Sequence, residues 1–243
     1  GVDLVKVRDL TEGDTQNYQE ELNKLNQAAA NAVIAKIAAL PETVALTDEA
    51  AIVEARAAFD ALTATQQALV NNKQKLETAE TALAALKGDK AAADAVIAKI
   101  AALPAVDSIT LANAEAVDEA DADYKALSDA AKGMVDTAST EKLTGAVAKI
   151  AQLRSDKTAA EAVEAKINAL PNPDEATTND KAAIEEAAAA LEGLTEAQNA
   201  MVSDDAKAKL NALLEKIAVK YGDINGDGSI DAVDALIALQ HSV

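Results

Sequence analysis

The stretch QAAANAVIAKIAALP, residues 27–41, recurs as KAAADAVIAKIAALP at 90–104 and as KTAAEAVEAKINALP at 157–171. A second block keeps the same order: IVEARAAFDALTATQQALV from Ile52, VDEADADYKALSDAAKGMV from Val117 and IEEAAAALEGLTEAQNAMV from Ile184. Repeats of this length indicate an array of small units, each burying its apolar face with help from its neighbours. Ile52, Ala55, Phe59 and Leu62 step by three, four and three residues, which places them on one face of a helix. Val117, Tyr124 and Leu127, and then Ile184, Leu191 and Leu194, hold matching places. Leu76, Leu143 and Leu210 begin a third helical pattern in each unit.

The breaks have local causes. Pro41, Pro104 and Pro171 end helices, because proline lacks an N–H and disfavours helix in the residue before it. Asp48, Asn113 and Asp180 stand where an N-cap is wanted. Thr63 with Gln66, and Thr195 with Gln198, make capping boxes that start a new turn. No proline falls between Leu76 and Leu103, so the third helix of one unit is expected to run on into the first helix of the next, over about 42 Å. The expected fold is all-α: tandem three-helix-bundle repeats joined end to end into an elongated rod. The chain divides into an extended lead-in or the tail of an upstream domain at 1–14, repeats at 15–87, 88–154 and 155–221, and a loop–helix segment at 222–243. Within the lead-in, GVDLVKVRD alternates like a strand and TEGD reads as a turn, with a helix expected from about Thr15 to Leu40. A shared-helix connection of this kind resembles spectrin-type arrays in that respect only.

Composition suits slender bundles. Half of the 243 residues are apolar, much of that alanine, while aromatics are 2%, too few for a thick core. Alanine is the best helix former and lets helix axes approach closely. The net charge of −19 opposes binding to nucleic acid or to anionic membranes. Cysteine is absent, which excludes disulfides and thiolate metal sites. No apolar run is long enough to span a bilayer. Gly1 reads as a cut end, and an export signal is expected upstream of it.

One segment breaks the helical composition. DINGDGSIDAVD, Asp223 to Asp234, places oxygen-bearing residues at the spacing of a calcium loop. Asp223, Asn225, Asp227, Ser229, Asp231 and Asp234 take positions 1, 3, 5, 7, 9 and 12. Alternate oxygens converge on one point as the chain winds. Gly228 permits the sharp turn, Ser229 offers its carbonyl, Asp231 acts through a water, and Asp234 closes the site with both oxygens. Ile230 points away and anchors the loop. The expected ligand is Ca2+.

The segment GDINGDGSIDAVDALIALQHSV, Gly222 to Val243, resembles one repeat of a dockerin, and Asp rather than Glu at Asp234 favours that family over the EF-hand. A dockerin has two such repeats, and this chain carries one. The resemblance implies a secreted or cell-surface bacterial protein, calcium-dependent assembly, and a cohesin domain as partner when the module is complete. Ala232 and Val233 hold the places that touch cohesin in the family. The helical repeats resemble, less specifically, the FIVAR repeats of large bacterial surface proteins.

Catalytic chemistry has little support. His241 is the only histidine, and acid pairs such as Glu185–Glu186 and Asp121–Asp123 read as solvated helix faces. Phe59 and Tyr124, and Leu69 with its counterparts Met134 and Met201, read as core. The expected function is therefore a non-catalytic extracellular spacer ending in a calcium-binding segment. The alternative is an adhesion module whose repeats bind a glycan or a host or cell-wall protein, and an exposed patch common to all three repeats would favour it.

Overall fold

The computed structural model describes residues 12–220, 224 and 231–240. Among these the protein is all-helical, with no strand. Eleven α-helices are described: α1 Glu12–Ala38, α2 Glu49–Asp60, α3 Ala64–Gln67, α4 Lys73–Ala102, α5 Ala114–Ala126, α6 Asp129–Lys132, α7 Thr137–Ala169, α8 Lys181–Glu192, α9 Glu196–Asn199, α10 Asp204–Lys220 and α11 Ala232–Gln240. Short 3-10 turns precede α2, α5 and α8. The residues form two compact units. Those up to 102 with 122–140 make the first, and 103–121 with those from 141 onward make the second, so the expected middle repeat contributes to both.

In the first unit, Ala30, Val33, Ile37 and Leu40 of α1 and its end meet Ile52, Ala55 and Phe59 of α2 and Leu76, Ala79 and Leu83 of α4 in one apolar cluster. A second cluster in the same unit joins Ala93 of α4 to Ala131 and Val135, with Tyr124, Leu127 and Met134 packed against it. In the second unit Ala160, Val163 and Ile167 of α7, Ile184 and Ala187 of α8, and Ala206, Leu210 and Leu213 of α10 form the corresponding cluster. Elsewhere in this unit Gly145 faces Val106, and a Cβ there would stand 3.1 Å from a Val106 methyl. The helices α4 and α7 run 30 and 33 residues without interruption, as the proline-free stretches predict. Each stops two positions before the next proline, and α1 stops three positions before Pro41.

Three polar devices recur at matching positions. First, Lys75 Nζ donates to the Ala38 carbonyl at 3.0 Å, Lys142 Nζ to Leu103 at 2.6 Å, and Lys209 Nζ to Leu170 at 2.6 Å. Each lysine immediately precedes the leucine that opens a third helical pattern, and each satisfies a carbonyl that proline-terminated backbone leaves open. Second, the capping residue of each four-residue helix lies beside the residue just ahead of an alanine-rich repeat. Gln66 Nε2 donates to Asn26 Oδ1 at 3.1 Å, Ser128 Oγ to Asp89 Oδ1 at 2.6 Å, and Gln198 Nε2 to Asp156 Oδ1 at 2.9 Å. The expected capping boxes at Thr63 and Thr195 are present, and Ser128 takes the N-cap role in between.

The third device corrects an expectation. Asp48 and Asp180 occupy N-cap positions but make no side-chain cap bond to the helix that follows. Asp48 accepts from the Ala45 N–H at 2.8 Å, Asn113 from Thr110 at 2.9 Å, and Asp180 from Thr177 at 2.7 Å. A 3-10 turn leads directly into each helix, so the side chain reaches back three residues and closes that turn instead.

Other differences are small. The α1 helix begins at Glu12, inside the expected turn, and ends at Ala38. A glycine in a first turn costs little, because the N–H groups there lack intrahelical partners in any case. The strand expected over 1–9 lies outside the described residues. Leu69 is 37% exposed, whereas Met134 and Met201 pack against their clusters. The longer, unbranched methionine reaches an apolar surface that leucine at this turn does not. Tyr18, Leu22 and Leu25 are exposed along the first half of α1.

Candidate calcium loop and the helix carboxylates

Of the six residues expected to hold calcium, Asp231 and Asp234 are described. Asp223, Asn225, Asp227 and Ser229 lie outside the described residues, as do Gly228, Ile230 and His241. Asp231 stands at the N-terminus of α11 and accepts from the Val233 N–H at 2.8 Å, which is N-cap geometry. Asp234, three residues on, accepts from the Asp231 N–H at 2.9 Å, the backward half of a capping box. Its other oxygen accepts from the Ile224 N–H at 2.6 Å, ten residues earlier in the chain. Asp234 is 2% exposed although it is charged and lies on a nine-residue helix.

This arrangement follows from the sequence step by step. The aspartate at 231 starts the helix, and the period of the helix then brings position 234 over the same turn. The N-terminal end of α11 favours negative charge there. Asp234 is thereby tied to Ile224, ten residues earlier. A carboxylate oxygen can accept in more than one direction, and both Asp234 oxygens accept backbone N–H groups. Hard oxygen donors on a buried carboxylate fit a calcium ion. The sequence reading assigned Asp234 to metal binding alone and missed its backbone role. The signal was present as D-x-x-D at 231–234, an acidic form of the capping box.

Several carboxylates elsewhere on the helices pair with helix-face cations. Glu186 meets Lys166 at 2.7 Å, Asp123 meets Lys99 at 2.5 Å and Glu185 meets Lys181 at 3.5 Å. Lys36 pairs with Glu54 at the position matching Lys166–Glu186. The lysine hydrogen bonds hold the carboxyls of Glu54 and Glu186 below the usual carboxylate range, and the Arg154 hydrogen bond does so for Asp118. Arg56 grips Glu80 through two bonds, at 2.6 and 2.5 Å, and its guanidinium lies 5.5 Å from the centre of the Phe59 ring. That carboxylate hydrogen bond raises the Arg56 pKa above its ordinary value.

Asp156 differs from these acids. It is buried, and its Oδ1 accepts from both Gln152, at 3.0 Å, and Gln198. In the first unit a surface groove of about 260 Å3 has Ile52, Val53, Leu83 and Ala84 along it, with the pairs Arg56–Glu80 and Lys87–Glu49 at its rim. Those polar groups are already matched to one another. No helix among the described residues is long and apolar enough to cross a membrane. No family model, curated protein or solved structure matches this chain.

Proposed function

We propose that the protein is a non-catalytic extracellular spacer of a bacterial surface or secreted protein, a stalk of tandem helical repeats ending in a calcium-binding, dockerin-like segment. The observation that carries the reading is Asp234: a buried carboxylate in a loop whose sequence supplies oxygens at calcium-ligand spacing. With calcium present, Asp223, Asn225, Asp227, Ser229, Asp231 and Asp234 surround the ion, and its charge offsets the repulsion among four aspartates. The stalk is supported by α4, which serves two apolar clusters of one unit, and by the 33-residue α7. Tandem three-helix repeats sharing such helices would extend as a rod. Phe59 and Tyr124 pack against apolar clusters, and among the described residues the exposed Val53 is matched by Asp118 and Glu185 in the other repeats, which favours spacing over adhesion. A cohesin is the partner implied where a second loop–helix repeat completes the module.

Calcium titration by calorimetry in chelator-treated buffer tests the metal reading. Saturable uptake of one ion is expected, and it should be lost in Asp223→Ala and Asp227→Ala. Uptake absent in the unaltered protein, or unchanged in both variants, overturns the reading. Small-angle scattering tests the stalk: a compact sphere of this mass contradicts a rod.

A further inference from the structure

We propose that Gly88 makes a compliant joint in α4, where the helix passes from one apolar cluster of the first unit to the next. Leu83 is the last α4 residue in the first cluster, and Ala93 is the first in the second. From residue 84 to residue 92 none is fully buried and only Leu86 and Asp89 are half-buried, so about two and a half turns of helix cross between cores with little anchoring. Gly88 lies at the middle of that span. A Cβ there would meet nothing within 4 Å, so neither packing nor a tight turn requires glycine. Glycine nevertheless weakens a helix interior about five-fold relative to alanine.

The polar ties on the span do not compensate. Lys87–Glu49 and the Ser128 bond to Asp89 are exposed, and Lys90–Asp94 is local to the helix. Exposed pairs of this kind add little rigidity. At the matching place in α7 stands Ser155, followed by the buried Asp156 with two glutamine donors. That crossing is pinned, whereas the α4 crossing is not. Local opening around Gly88 therefore disturbs neither apolar cluster, and the helix bends there at lower cost than elsewhere along its length. In a spacer this localises bending to one joint. The inference rests on the packing of α4 and is independent of the calcium loop.

The test uses the intact chain. It contains no cysteine, so Ala68→Cys and Ala130→Cys give two unique, exposed sites for nitroxide labels, one beside each cluster. Amide hydrogens of residues 88–92 should exchange about tenfold or more faster than those of residues 79–83. Gly88→Ala should slow that exchange about five-fold and narrow the distance distribution between the labels. Equal protection from 79 to 92 overturns the proposal. So does a distribution whose width is unchanged by Gly88→Ala, even if that variant melts at a higher temperature.

Discussion

Gln198 Nε2 donates to Asp156 Oδ1 at 2.9 Å, and the same contact is made 130 residues earlier between Gln66 and Asn26 at 3.1 Å. One repeat thus buries an acid where another has an amide with the same partner. Burying a carboxylate beside neutral donors costs desolvation that an amide largely avoids. Asp156→Asn should leave stability unchanged or raise it by about 1 kcal/mol, while Asp156→Ala, which removes the acceptor of the half-buried Gln198 and the exposed Gln152, should cost about 1 kcal/mol. Urea unfolding monitored by circular dichroism separates these outcomes.

The lysines that reach helix-end carbonyls should matter more than those in surface pairs. Lys209 bonds two carbonyls, Asn168 at 3.1 Å and Leu170 at 2.6 Å. Lys209→Met should cost about 1–2 kcal/mol, the range for a charged donor on backbone with some solvent screening. Lys157→Met removes only the exposed pair with Glu161 and should fall within about 0.5 kcal/mol of the unaltered protein. Thermal denaturation of the two variants side by side makes the comparison.

Acid should weaken the reversed cap at Asp180 and the forward cap at Asp136. The Thr177 N–H, and then its hydroxyl, hold the Asp180 carboxyl below its ordinary value, and the hydroxyl and N–H of Ser139 do the same for Asp136. A carboxyl depressed in the folded state adds stability that is fully present above its unfolded pKa of about 3.9 and is lost as pH falls through the folded value. Asp180→Asn keeps an acceptor, as Asn113 shows at the equivalent turn, but does not titrate. The unaltered protein should therefore melt above Asp180→Asn at pH 7, and the gap should close as pH drops below 4. Relief of the net charge of −19 acts on both proteins and cancels in the difference.

Gly145 should not tolerate a side chain. The Val106 methyl 3.1 Å from the site of a Cβ leaves too little room. Gly145→Ala should lower the melting temperature even though alanine favours helix, with a cost of about 1–2 kcal/mol from overpacking.

Much of the helical order is readable in the residues themselves, because prolines, capping boxes and apolar spacing act locally. The helix ends before Pro41, Pro104 and Pro171 follow from that chemistry, as do the turns starting at Thr63 and Thr195. What escapes it is tertiary or backward-looking. Nothing in the spacing shows Lys209 reaching the Leu170 carbonyl 39 residues away. Asp48 and Asp180 look like forward caps, and only the intervening 3-10 turn reverses them. At the loop, the spacing singles out Asp231 and Asp234 as candidate ligands but gives no sign of the bond from the Ile224 N–H to Asp234, ten residues apart.

Diffraction from crystals grown with calcium, recorded for its anomalous signal, tests the central claim most directly. One peak is predicted at the loop, with Asp234 oxygens about 2.3–2.6 Å from it and the carboxylates of Asp223 and Asp227 converging on the same point. A loop without an anomalous peak at saturating calcium, with Asp234 bonded only to the N–H groups of Ile224 and Asp231, would contradict it.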